Sequence, residues 1–148
     1  MKFSFIRISI IFSIILTFNL AWSESNTVSK NEIVERMGIT FKKFSTIPFS
    51  GKLVSFYDDG QLEIIGKYLD GKKDGEFLTY FPNGRLVSKQ IYKNGKLNGK
   101  WDVFKEDGKT KAKVEYLNGN KNGYWNECNF FCERGQYING KKNGKWER

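Results

Sequence analysis

The chain has 148 residues, a formal net charge of +9 at pH 7 and no histidine. This length corresponds to one domain. Without histidine the chain lacks the usual general base and the commonest metal ligand, and its serines and carboxylates form no catalytic pattern. We therefore expect no enzyme activity, no metal site and no cofactor.

Residues 1–23 have the layout of a secretory signal peptide. Lys2 and Arg7 provide a positive start, residues 8–20 are almost purely apolar, and residues 21–23 offer small side chains at the two positions that a signal peptidase reads. An uncleaved membrane anchor is the alternative, but a spanning helix needs about 20 apolar residues. We expect export to the periplasm or the cell exterior, with membrane contact at most peripheral after cleavage.

Residues 24–48 form a lead-in segment, which precedes a repeat domain at residues 49–148. No stretch after the signal peptide has the sustained 3.6-residue apolar period of an amphipathic helix, so helices should be few. Residues 29–37 fit either a short helix or a strand.

The repeat domain is defined by a ten-residue phrase that occurs four times. The phrase reads "YLDGKKDGEF" at 68–77, "YKNGKLNGKW" at 92–101, "YLNGNKNGYW" at 116–125 and "YINGKKNGKW" at 137–146. Glycines recur at intervals of 24, at Gly51, Gly75, Gly99 and Gly123. We number the units from these glycines: four units of about 24 residues, the fourth shortened, followed by a terminal half-unit.

Each unit predicts two short strands and two tight turns. Asn-Gly and Asp-Gly between apolar runs are strong hairpin signals, because the turns that match strand twist need φ > 0. The predicted turn glycines are Gly60, Gly71, Gly84, Gly95, Gly108, Gly119 and Gly140. The fold class that follows is all-β: a single-layer antiparallel meander of repeated β-hairpins with about nine or ten strands.

Aromatic residues recur at fixed positions of the repeat and predict a ladder of stacked rings on one face of the sheet. Each phrase begins with tyrosine and ends with phenylalanine or tryptophan at a constant spacing. The second glycine of each phrase, such as Gly99, is expected to lie beneath a ring. We expect the ladder to be core, with a carbohydrate or lipid groove as the alternative. Its members are Tyr68, Phe77, Tyr92, Trp101, Tyr116, Trp125, Tyr137 and Trp146.

The phrase Tyr-x-Asn-Gly-Lys-x-x-Gly-x-Trp, followed by an aromatic pair and Asx-Gly, resembles the MORN-repeat variant of bacterial proteins. The lead-in "IVERMGITFKKFSTIPFSG" is similar to the segment that precedes such repeats in exported members. This resemblance covers about residues 33–148. It implies a single-layer hairpin sheet and a role in protein scaffolding or lipid-surface association. Members often carry an antitoxin-like label, whereas the predicted signal peptide indicates a role outside the cytoplasm.

The repeat spacing is broken at "CNFFC", which contains the only two cysteines. The interval from Trp125 to Tyr137 is shorter than the corresponding interval from Trp101 to Tyr116. In an exported protein, cysteines that flank a three-residue loop favour a disulfide between Cys128 and Cys132, with two reduced thiols as the alternative. Phe130 and Phe131 would then form a contact tip, unless both rings fold back onto the sheet.

Two functional hypotheses follow. In the first, the protein is a non-catalytic module that binds or scaffolds an unknown protein of the cell envelope. In the second, it is a structural element whose basic turns associate with anionic lipid or other envelope surfaces. A positive net charge favours association with anionic surfaces. We expect no nucleic-acid partner, because an exported protein meets none.

Overall fold

The computed structural model describes residues 26–128 and 132–148, so the predicted signal peptide lies outside the described residues. Over these ranges the chain forms thirteen β-strands and one short 3-10 helix, Lys30–Glu32. The strands are β1 (Thr27–Val28), β2 (Ile33–Arg36), β3 (Ile39–Lys42), β4 (Gly51–Phe56), β5 (Leu62–Leu69), β6 (Lys72–Lys73), β7 (Gly75–Tyr80), β8 (Leu86–Lys93), β9 (Lys96–Phe104), β10 (Thr110–Leu117), β11 (Asn120–Cys128), β12 (Cys132–Ile138) and β13 (Lys141–Glu147).

The predicted all-β meander is confirmed. One open sheet runs in the order β1-β4-β5-β7-β8-β9-β10-β11-β12-β13, and β6 pairs with β5. The repeat domain supplies nine of these strands in consecutive antiparallel pairs, as the period predicts. Three further strands come from the lead-in, where β1 pairs parallel with β4 while β2 and β3 form a separate hairpin. Among the described residues, no helix is both long and apolar enough to cross a membrane.

The lead-in covers the first unit of the sheet. The backbone N–H of Lys52 donates to the carbonyl of Asn26 at 2.8 Å, which holds β1 against β4. Thr40 N–H donates to the carbonyl of Gly71 at 2.8 Å, which ties the β2–β3 hairpin to the first turn of the repeat. Residues 29–37 contain both a 3-10 turn and the strand β2, so each of the two readings of this segment is right for part of it.

All seven predicted turn glycines have positive φ, between 74° and 87°. In the phrase turns the preceding residue, Asp70, Asn94, Asn118 or Asn139, is also left-handed, with φ of 49–50°. Two consecutive positive φ angles define the type I′ turn, whose twist matches the flanking strands. This explains why Asx-Gly stands at the third and fourth positions of each phrase, where the strand ends.

The phrase turns stack on one another along one edge of the sheet. The turn glycine N–H donates at 2.8 Å to a carbonyl of the preceding turn, for example from Gly119 to Leu97. A side chain adds a second bond: the Asn98 Oδ1 atom accepts from the Asn118 N–H at 3.1 Å. Equivalent bonds run from Asn94 N–H to Asp74 and from Asn139 N–H to Asn122. The second Asx residue of the phrase therefore binds the next turn, a role that the sequence did not reveal.

The expected role of the second glycine is wrong. Gly99 has φ of 131°, and a methyl group placed on it would lie 3.3 Å from Ile91 and would meet no ring. It lies in the β9 segment where the β8–β9 register shifts, between the pairs Gln90–Trp101 and Tyr92–Leu97. Such bulges need an unusual backbone conformation, which glycine adopts at low cost. Rings instead cover Gly66 and Gly135, which lie inside β5 and β12.

Candidate functional site: the aromatic ladder and its open groove

The predicted aromatic residues come together on one face of the sheet, which we call the ladder face. Neighbouring ring centroids are 5.1–6.4 Å apart, and most pairs meet edge to face or tilted. These distances are in the range of favourable aromatic pairs. Phe49, which precedes the first unit, extends the series by packing 5.8 Å from Tyr68. The repeat did not predict this ring, because Phe49 stands outside the repeated phrase.

Over the described residues the ladder has one break, between Tyr92 and Trp101, where stacking was expected. The residue two positions before each phrase tyrosine explains this break. Where that residue is Gly66 or Gly135, the tyrosine and the next ring are 5.4 and 5.1 Å apart. With Val114 at this position the distance is 6.4 Å. The fourth residue of this set is Gln90, which lies opposite Trp101 and accepts a hydrogen bond from the Tyr92 hydroxyl. A larger side chain at this position therefore separates the two rings.

The break divides the core into two clusters. The first consists of Val28, Phe49, Leu53, Tyr68 and Phe77, all at most 7% exposed. Val28 comes from the lead-in, and Ile33 of β2 packs against the same cluster. The lead-in thus closes the first unit, with Val28 beside Leu53 on β1 and Ile33 packed against the cluster.

The second cluster, built on Ala112, Val114 and Trp125, lies beside a groove of about 360 Å³. This volume is at the lower end of the range for binding pockets. The groove is lined by Trp101, Val103, Lys111, Ala112, Val114, Tyr116, Lys121, Trp125 and Glu127. We call it the third-unit groove.

Lysines of the phrases lie over ladder rings. The Lys121 Nζ atom is 3.8 Å from the Trp125 centroid and 5.0 Å from that of Tyr137. Lys73 is 5.0 Å from the rings of Phe77 and Tyr92, and burial lowers the pKa of its ammonium group. These cation–π contacts place a positive charge on the rim of an apolar floor.

Three of the ladder tyrosines are protected from ionisation by burial. Burial raises the pKa of the phenols of Tyr68, Tyr92 and Tyr116, because the phenolate would lose hydration. Their hydroxyls are therefore neutral at any physiological pH. They contribute ring surface and hydrogen bonding to the site but no charge.

The two cysteines lie directly opposite each other on β11 and β12 and are joined by a disulfide. A disulfide is compatible with an oxidising location. Phe130 and Phe131, the predicted contact tip, lie outside the described residues. In the described ranges no group of three or more His, Cys, Asp or Glu residues is arranged to hold a metal ion.

Comparison with known families finds the MORN repeat variant at residues 50–70 and 73–94. These ranges contain the β4–β5 hairpin and the β7–β8 hairpin. MORN repeats are generally associated with modules that bind proteins or membrane lipids, and the family is a non-catalytic repeat module. No curated protein matches the chain. The third-unit groove thus has an aromatic floor and charged residues on its rim, and it lies in a sheet whose first two hairpins match the MORN repeat variant.

Proposed function

We propose that the protein is an exported, non-catalytic β-repeat module that binds or scaffolds a partner protein of the cell envelope through the third-unit groove. The apolar segment at residues 8–20 and the Cys128–Cys132 disulfide support export. The MORN-variant match supports a binding role over an enzymatic one. The antitoxin-like label of related repeats is not adopted, since it concerns a cytoplasmic target.

One observation carries the proposal: the ladder face is covered at the first unit and open at the third. Leu53 in the first unit is 4% exposed, because Val28 lies beside it on β1 and Phe49 and Ile33 belong to the same packed cluster. At the third unit, Val103 and Trp101 are only partly buried and line a groove. A concave apolar surface with a few charged rim groups is the usual form of a ligand site.

The test is site-specific photo-crosslinking in the intact envelope. Lys111 lines the groove, and Lys113 on the same strand lines a separate pocket on the opposite face. A photoreactive phenylalanine analogue replaces one lysine or the other. We expect a discrete protein adduct from position 111 and none of the same mass from position 113. Identical adducts from both positions, or none from position 111, would refute binding through the groove.

A second candidate function is association with an anionic surface through the basic turn edge. Three exposed lysines each follow a turn glycine along the stacked edge: Lys72, Lys96 and Lys141. A methyl group added to Gly95 would lie 3.5 Å from the side chain of Lys72, which shows how close successive turns are. The stacking of the turns therefore brings these charges into one row. Flotation with phosphatidylglycerol vesicles tests the idea, since such attraction weakens with salt. Binding that is lost between about 50 mM and about 0.5 M salt supports it, and the absence of vesicle binding at low salt refutes it.

A further inference from the structure

The three most exposed large apolar side chains of the described residues all lie in the lead-in. Met37 and Phe44 are fully exposed, and Ile47 is 75% exposed. Met37 stands in the turn between β2 and β3, while Phe44 and Ile47 follow β3. In the rest of the described chain the highest value for such a side chain is 56%, at Phe56. An apolar side chain that touches no neighbour adds nothing to the packing of the fold.

Met37 occupies a backbone conformation that the chain otherwise gives to asparagine or aspartate. Met37 and Gly38 have φ of 52° and 76° and form the two-residue turn between Arg36 and Ile39. The four phrase turns have the same pair of positive φ angles, with Asp or Asn at the first position. Asn and Asp enter this region more readily than other non-glycine residues. The fold alone would therefore favour asparagine at position 37.

Phe44 repeats this mismatch in the next turn. The Ser45 N–H donates to the Lys42 carbonyl at 3.1 Å and closes a four-residue turn, in which Phe44 is the third residue and has φ of 64°. Positive φ at this position favours glycine or asparagine, and for a bulky residue it is an outlier. Met37 and Phe44 thus hold unfavourable backbone angles without gaining any packing contact. Backbone strain of this kind clusters at functional sites.

The segment that carries these side chains is basic. Residues 36–48 contain three exposed cations, Arg36, Lys42 and Lys43, and no carboxylate. The Arg36 guanidinium lies 5.2 Å from the centroid of the Phe41 ring, which holds it on the loop. The segment therefore combines projecting apolar side chains with positive charge.

The lead-in hairpin lies at the same edge of the sheet as the row of turn lysines. The Thr40 N–H donates to the carbonyl of Gly71 in the first phrase turn, and exposed Lys72 follows this glycine. Thr40 is only three residues from Met37. The apolar side chains thus project beside the start of the lysine row.

We propose that the lead-in anchors the exported chain on an anionic lipid bilayer, with Met37 and Phe44 inserted at the acyl boundary and the three cations on the phosphate headgroups. A bilayer interface accepts apolar side chains and attracts cations beside them, which matches the exposure and the charge of this segment. The proposal rests on the second candidate function, association with an anionic surface. It adds an anchor that lies outside the matched repeats and is independent of the third-unit groove.

Substitution by asparagine separates anchoring from folding. Met37→Asn and Phe44→Asn place in each turn a residue that accepts positive φ, and no packing contact is lost because both side chains are fully exposed. In thermal unfolding followed by circular dichroism, we expect the double variant to have a Tm equal to or above that of the parent chain. A lower Tm would show that the two residues serve the fold and would overturn the proposal.

Vesicle binding measures the anchor. The chain is recovered after export, with mass spectrometry to verify that residues 1–23 are removed, and is floated at low salt with vesicles of phosphatidylglycerol and phosphatidylethanolamine. The double variant should bind at least about tenfold more weakly than the parent chain, since two apolar side chains no longer insert. Phe56→Asn is the matched control: it removes a half-exposed ring at the far end of β4 and should leave binding unchanged. Equal binding by the double variant and the parent chain overturns the proposal.

A local probe shows whether position 44 enters the bilayer. The only two cysteines are joined in a disulfide, so Phe44→Cys takes an NBD fluorophore selectively, and Phe56→Cys provides the control. Vesicles should shift the NBD emission at position 44 to shorter wavelength, and doxyl-labelled lipids should quench it, with neither effect at position 56. Unshifted emission at position 44 contradicts insertion.

The outcomes separate the anchor from the lysine row. The comparison variant carries Lys72→Gln, Lys96→Gln and Lys141→Gln. Weaker binding of this variant with unchanged binding of the asparagine variant overturns the anchor and leaves the basic turn edge standing, whereas the reverse supports the anchor and refutes the turn edge. Weaker binding of both supports an anchor that acts together with the row. A discrete protein adduct from a photoreactive analogue at position 44, without vesicle binding by the parent chain, overturns the proposal in favour of a protein partner.

Discussion

Replacement of Gly66 by alanine tests how the ladder is held together. Gly66 lies inside β5 with the Phe77 ring directly over it, and a methyl group there would lie less than 3.0 Å from three atoms of that ring. The ring would have to move away from the strand. It also contacts Tyr68 at 5.4 Å and Tyr92 at 5.3 Å, so the movement disturbs two neighbours of the first core cluster.

The expected cost follows from two opposing effects. Overpacking of a well-packed core costs roughly 1–3 kcal/mol. Alanine also restricts the unfolded chain, which returns about 0.4–1 kcal/mol. We therefore expect a net loss of about 1–2 kcal/mol in the free energy of unfolding. For a domain of this size that corresponds to a fall in Tm of roughly 4–8 °C.

Urea and thermal unfolding, monitored by circular dichroism, measure this loss, and a double-mutant cycle assigns it to the ring. In a Phe77→Leu background the flat ring is gone, so the added methyl group should cost at least about 1 kcal/mol less. Gly60→Ala is the contrasting variant, since nothing lies within 4 Å of a methyl group there and its φ is 85°. Its cost should arise from backbone strain alone and remain the same in the Phe77→Leu background. An equal cost of Gly66→Ala in both backgrounds would refute the role assigned to the glycine.

Three further expectations concern the rings and the disulfide. Trp125→Ala should cost about 3–5 kcal/mol in urea unfolding and exceed the loss from Trp146→Ala, because Trp125 contacts two rings and Trp146 one; equal losses would contradict the ladder model. Replacing both Cys128 and Cys132 by serine should preserve the far-UV spectrum and lower the free energy of unfolding by at most about 2 kcal/mol, since the closed loop is short. Mass spectrometry of the untreated protein should find no free thiol. Absorbance titration in the near ultraviolet should show that the phenols of Tyr68, Tyr92 and Tyr116 ionise above the ordinary pKa of 10.0. Because the pKa of each phenol is higher in the folded than in the unfolded chain, its contribution to stability is fully present below about pH 10. This contribution is lost as the pH rises through the pKa values of the folded state.

The strands, the turns and the ladder could be predicted from the sequence because the residues that determine them are local. An Asx-Gly pair adopts positive φ wherever it stands between two strands, so the turn positions follow from the residues themselves. The constant repeat period then places each tyrosine at an equivalent point of successive hairpins. Phe49 was missed because it has no place in that period. The break at Tyr92 depends on Gln90, whose significance appears only when the opposite residue on β9 is known.

The groove could not be predicted from the sequence in this way. Its floor lies at the same repeat positions as the first core cluster, so the repeat period alone does not distinguish the two. The difference arises because the lead-in pairs β1 beside β4, with Val28 next to Leu53, and packs Ile33 against the same cluster, which are contacts between segments that are distant in the chain.

The sequence by itself determined the all-β class, the hairpin period, the seven turn glycines and the eight rings of the repeated phrase. Tertiary structure decided which part of the ladder face is covered and which is open. It also decided that the second glycine of the phrase relieves a bulge and that the second Asx binds the next turn. The physical reason is one of range: φ preferences act on the residue and its immediate neighbours, whereas burial depends on which distant segment reaches a surface.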